Sequence, residues 1–135
     1  MGDSTTRVAR TTRDARDAEV IVVGGGPAGA STGFHLAAAG ADVLVLDRAR
    51  FPRDKTCAEY LSPQASRVLA AMGALEATEA HAAQLAGMLI RAPSGDVIEG
   101  RFAAEHGFRG FRDRGLAVRR RVLDALLVER ARSAG

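Results

Sequence analysis

One stretch, "EVIVVGGGPAGASTGFHLAAAGADVLVLD" from Glu19 to Asp47, limits the fold more than the rest of the chain does. "EVIVV" is a run rich in β-branched residues that stops at glycines, the pattern of a strand buried on both faces. Pro27 then suits the first turn of a helix, where a missing N–H costs nothing. The helix carries small residues and Leu36 and stops at Gly40, a suitable C-terminal residue. "ADVLVLD" repeats the buried-strand pattern. Strand, glycine turn, helix and strand form a βαβ unit, whose crossover sets the two strands parallel. The expected class is α/β: a Rossmann-type dinucleotide-binding fold with inserted helices and a β-hairpin.

Gly24, Gly26 and Gly29 fit the pattern G-x-G-x-x-G, and each has its own steric task. The first permits the tight turn, the second admits a diphosphate to the backbone, and the third lets helix and strand pack closely. Gly33, one turn on, extends that close packing. The N–H groups at the helix start face the phosphates, with the positive end of the helix dipole behind them. Asp47 stands 23 positions beyond Gly24, near the ~20 expected for an acidic residue that accepts a hydrogen bond from a ribose. A carboxylate there repels a 2′-phosphate, which disfavours NADP. Spacing alone leaves FAD and NAD both open. Arg48 either lies over the adenine or faces solvent.

Beyond Asp47 the chain turns polar. Ser62-Pro63 reads as an N-cap followed by proline at the first helical position. The helix runs through "QASRVLAAM" to Gly73, and a second short helix covers "ALEATEAHAAQ". "GMLIRA" and "DVIEGRF" flank "PSG" as a β-hairpin. A loop of glycines and arginines precedes a final helix, "RRVLDALLVERARS", with Val122, Leu123, Leu126, Leu127 and Arg130 spaced for one face. Residues 1–18 lack apolar content and read as a disordered leader, although Arg7, Arg10, Arg13 and Arg16 fall at a helical spacing.

With 135 residues, 47% of them apolar, the chain has enough material for one core. No apolar run approaches the ~18 residues of a membrane span, and no signal peptide is apparent, so the expected location is cytoplasmic. Cys57 is the only cysteine, which excludes an intrachain disulfide and a cysteine-based zinc site. The net charge is only +3 and aromatic residues are 4%, too few to suggest stacking on nucleic acid. No metal site is expected. His35, His81 and His106 have no partner constellation and are read as structural or exposed.

The βαβ stretch, together with the residues beyond Asp47, also resembles a known group of flavoproteins. "VIVVGGGPAGASTGFHLAAAGADVLVLDR" resembles the start of flavin monooxygenases of the p-hydroxybenzoate hydroxylase kind. "FPRDKTCAEYLSP" is similar to the segment "FPRxKxCGExLSP" of the geranylgeranyl reductase family, whose cousins are FAD-dependent halogenases and aromatic hydroxylases. "GMLIRAPSG" and "AVRRRVLDALLVERARSAG" extend the likeness, which covers residues 19–135. The resemblance implies FAD, with Gly24, Gly26, Pro27, Ala28 and Gly29 around its diphosphate and Asp47 on its adenosine ribose. It further implies that Arg120 reaches the phosphate or ribityl region, while Arg119 and Arg121 are solvated. Cys57 matches the family cysteine, with a buried inert thiol and a flavin-side role both open. Where the family has glycine this chain has Ala58, and often again Tyr60, so a backbone with φ > 0 at either would be strained.

The same family carries a third parallel strand after the late helix, a later G-D segment and a substrate-binding sheet. None is recognised in these 135 residues. Residues 19–135 are therefore expected to be the N-terminal part of an FAD-binding domain, incomplete at its C-terminus, with the catalytic residues unassigned. In a full-length enzyme the small-molecule substrate would be isoprenoid or aromatic. The chemistry would be double-bond reduction, favoured by "CAEYLSP", or oxygen insertion or halogenation. The competing expectation is a non-catalytic nucleotide-binding or assembly piece that completes its sheet with a partner chain.

Overall fold

The computed structural model of the chain describes residues 17–102 and 109–135. Most of the expected leader, with its four arginines, and His106 lie outside the described residues. The βαβ unit forms as expected. β1 (Val20–Val23) pairs in parallel with β2 (Val43–Leu46), Val20 opposite Val43 and Val23 opposite Leu46. α1 (Pro27–Ala38) connects them and ends where Gly40 takes φ +91°, the left-handed conformation that closes a helix.

Both strands were expected to be buried on two faces, and the structure corrects this. Val22 and Val45 face α1, but Ile21, Val23 and Leu46 on the other face are exposed, Val23 by 85%. The physical reason is coverage. Among the described residues this sheet has two strands, and α1 packs against one face of it.

α2 (Ala65–Ala71) starts two residues after Pro63, and the Ser62 Oγ accepts the Ala65 N–H at 3.3 Å. α3 (Leu75–Glu79) is shorter than expected, because Ala83–Leu85 leave it to form a strand, β4. β4 and β3 (Tyr60–Leu61) flank β7 (Gly115–Ala117) in a small antiparallel sheet that periodicity did not reveal. Strands of two or three residues are too short for alternation to register. The hairpin does form, from β5 (Gly87–Arg91) and β6 (Val97–Arg101), with Gly95 at φ +97° in its turn.

α4 (Arg120–Ala134) packs along α1. Its Leu123 and Leu127 join Ala30, Leu69, Met72, Ala74 and Val118 in the core. Arg130, on the same stripe, donates through Nε to the Met72 carbonyl at 2.8 Å. That bond satisfies a carbonyl at the end of α2 and ties α4 to it.

Candidate functional site

The three glycines of the loop differ in what they do. Gly24 takes φ +105° and donates its N–H to the Leu46 carbonyl at 2.6 Å. A Cβ on Gly29 would lie 1.7 Å from the Gly24 carbonyl oxygen, and one on Gly33 would lie 2.7 Å from Val45 Cγ2. Gly24 and Gly29 therefore specify the turn itself, and Gly33 specifies the spacing of helix and strand. Gly26 is different. A Cβ there would sit at ordinary contact distance, 3.6 Å from Arg53 Nη2 and 3.7 Å from Arg120 Nη2. The fold does not demand glycine at 26, where a Cβ would only touch the two guanidinium groups.

Gly26 is the N-cap of α1, and Pro27 opens the helix. No side chain caps it, and no acidic residue lies in its first turn. The N-terminal N–H groups are orphaned by helix geometry, and the helix dipole adds positive potential there. This end of the helix is suited to an anion.

Asp47, just past the end of β2, is held by the backbone. Its Oδ1 accepts the Ala49 N–H and its Oδ2 the Gly25 N–H, each at 2.8 Å. These two bonds, in that order, hold its pKa below the ordinary carboxylate value, with smaller help from Arg53 and Arg48. Each carboxylate oxygen retains a lone pair for a further donor such as a ribose hydroxyl. Arg48 is exposed at the rim of an open groove of about 700 Å³, which is also lined by Val23, Leu46 and Asp47. The exposed apolar side chains Val23 and Leu46 thus sit at the carboxyl ends of parallel strands, where α/β sheets place their ligands.

The arginines form the second half of the site. Arg120 donates to Asp124 through Nε at 2.7 Å and Nη2 at 3.0 Å. This pairing is the main reason its pKa is raised. Asp124 is fully buried and also pairs by charge with Arg53, whose Nη1 lies 3.1 Å from Oδ2 without making a hydrogen bond. Arg119 and Arg121 are exposed, as expected. Neither Arg53 nor Asp124 was singled out from sequence. The available signal was an aspartate four residues after Arg120 on an otherwise apolar helix stripe, a place where a charge needs a partner.

Cys57 is exposed, which overturns the reading as a buried thiol. Its pKa is lowered, first by the Glu59 N–H and next by Arg120. Neither Ala58 nor Tyr60 carries a positive φ. The left-handed residue is Glu59 between them, at φ 59°, so the backbone requirement falls on neither substituted position. His35 and His81 are exposed, and no cluster of potential metal ligands occurs among the described residues. None of the described helices is long and apolar enough to cross a membrane.

Residues 17–135 match the family described as FAD binding domain. The chain is 52% identical to the menaquinone reductase of Mycobacterium tuberculosis over 56 residues, 42% of this chain and 14% of that protein. It is 36% identical over 118 residues to digeranylgeranylglycerophospholipid reductase 1 of Methanopyrus kandleri, covering 87% of this chain and 28% of that protein. Among solved structures, the flavin-dependent halogenase CmlS superposes with a TM-score of 0.72 at 30% identity, over 84% of this chain and 20% of that one. The chain therefore spans between about one seventh and three tenths of the length of these relatives.

Proposed function

The chain belongs to the FAD-binding domain family, and from that premise we propose how its residues hold the cofactor. The diphosphate lies at the N-terminus of α1, against Gly24, Gly26, Pro27, Ala28 and Gly29, with Arg120 as a cationic neighbour. The adenosine ribose meets Asp47, and Arg48 borders the adenine end. The observation that carries this reading is Gly26. With no side chain there, the uncapped helix end faces a guanidinium group, Arg120 Nη2 standing 3.7 Å from where a Cβ would lie, and a backbone N–H row with a cation opposite is what a phosphate needs.

When bound, FAD supplies the redox chemistry, and the protein supplies binding and orientation. This chain's own residues provide the anion site, the ribose acceptor and the apolar strand ends under the groove. For the longer enzyme of which such a domain is part, the reading is a reductase acting on the double bond of an isoprenoid. It rests on the "CAEYLSP" segment and on the two reductases among the relatives. Oxygen insertion or halogenation of an aromatic substrate is the runner-up, supported by the halogenase likeness.

Titration of the chain with FAD, NAD and NADP tests the cofactor assignment. FAD is expected to bind with quenching of its fluorescence, and NADP is expected not to compete. Saturation by NAD without any response to FAD would overturn it.

A further inference from the structure

Arg53 lies on the loop after β2 and Arg120 at the start of α4, so the two reach the glycine loop from distant parts of the sequence. Both Nη2 atoms come within 3.7 Å of the point that a Cβ on Gly26 would occupy. One fully buried carboxylate lies between them: Asp124 accepts Nε and Nη2 of Arg120 and stands at ion-pair distance, 3.1 Å without a hydrogen bond, from Nη1 of Arg53. A buried carboxylate needs a counter-charge, and the two-pronged Arg120 pair already provides it. Arg53 is a second guanidinium on an acceptor that one arginine satisfies.

Its remaining edge is not used up elsewhere. Nη2 of Arg53 is 4.0 Å from Asp47 Oδ2, beyond hydrogen-bond distance. The Phe51 ring supports the guanidinium from one side, 4.9 Å from its carbon to the ring centre. The side chain is only 18% exposed. Arg53 is thus a largely buried fork, held by charge and by the Phe51 ring, with a buried Nη1 that makes no hydrogen bond and an Nη2 beside Gly26, a group suited to phosphate oxygens.

We propose that Arg53 is a second cationic contact to the diphosphate of the bound dinucleotide, and that Asp124 is the positioning residue that aims Arg53 and Arg120 together at Gly26. The proposal rests on the FAD reading above and deepens it. The glycine turn and helix end hold the diphosphate from one side, and a two-arginine clamp closes on it from the loop and α4. A nucleoside without phosphates gains nothing from that clamp.

The test compares ligands as well as variants. Affinities of FAD, ADP and adenosine are measured on the wild-type chain and on Arg53→Gln, Arg53→Lys and Asp124→Asn, with thermal melting as the folding control. Arg53→Gln is expected to weaken FAD and ADP by about tenfold or more, the scale of a lost charged hydrogen bond, and to leave adenosine within about twofold. Arg53→Lys keeps a charge beside Asp124 but loses the fork, so it is expected to fold normally and bind ADP several-fold more weakly. Asp124→Asn is expected to weaken the two phosphate-bearing ligands selectively. If Arg53 only neutralised Asp124, adenosine and ADP would weaken alike, and Arg53→Lys would bind ADP as wild type does; either result overturns the proposal. A wild-type chain that binds neither FAD nor ADP overturns the cofactor reading itself, and the clamp with it.

Discussion

Between α1 and the strands beneath it there is no room for a methyl group, whereas on the β5–β6 hairpin whole side chains stand in solvent. At Gly29 and Gly33 an added carbon would meet a carbonyl oxygen or a valine at sub-contact distance. On the hairpin Met88, Leu89, Ile90 and Ile98 are all more than half exposed. The register puts Met88, Ile90 and Ile98 on one face, with Leu89, Arg91, Val97 and Glu99 on the other. The first region is held by tertiary packing, so each atom has a defined place. The second is held by its ladder and its turn, where Gly95 supplies the positive φ and Ser94 Oγ bonds Asp96 Oδ2 at 2.6 Å. Strong apolar content therefore does not by itself identify a core; the elements that cover it do.

The sharpest way to break this comparison is to remove apolar volume from each region in turn. Leu123→Ala on the buried face of α4 is expected to cost about 2–5 kcal/mol in urea unfolding. Ile98→Ala on the hairpin is expected to stay within about 0.5 kcal/mol. Similar costs for the two would mean that the hairpin is covered in solution.

The glycine loop offers a finer division within the packed region. Gly29→Ala meets backbone at 1.7 Å and is expected to destabilise the fold by about 1–3 kcal/mol or more, as overpacking does. Gly26→Ala has an extended, ordinary backbone, and its methyl group meets the two guanidinium groups only at ordinary contact distance. It is expected to melt within about 0.5 kcal/mol of wild type while losing most of its FAD affinity. A Gly26→Ala variant that keeps its FAD would remove the phosphate from this position.

The smallest effect is expected at Cys57, which is exposed yet wired to the packed region through Arg120. Its lowered pKa means that alkylation should reach half-maximal rate at a pH below that of an ordinary thiol, which is about 8.5. Arg120→Gln should move that midpoint upward but not all the way, because the Glu59 N–H is the larger cause. The sign for stability follows from linkage. A thiol whose pKa is depressed by folding adds stability above the unfolded pKa and loses that contribution as pH falls through the folded one. An alkylation midpoint unchanged by Arg120→Gln would break the link.

Legibility in the sequence followed the range of the interactions. The βαβ unit, the hairpin and the late helix were readable because each is a local pattern: a β-branched run, a proline after glycines, a turn with Gly95, a stripe of leucines. Gly24 and Gly29 were readable because they meet requirements within one turn of chain. The short strands β3, β4 and β7 escaped, since two or three residues carry no period. The expected burial of both strand faces failed for a related reason: β-branched residues state a preference for cover without supplying it.

By itself, then, the sequence determined the parallel strand–helix–strand unit, the glycine turn that opens its helix, and an aspartate just past its second strand. Those features depend on backbone sterics and hydrogen bonds between near neighbours. Only the tertiary structure decided that Arg53 and Arg120 meet over Gly26, that one buried aspartate joins them, and that Cys57 is exposed beside them. Those contacts pair distant segments, and their geometry depends on how α4 packs against α1 and the loop after β2, which no local pattern specifies.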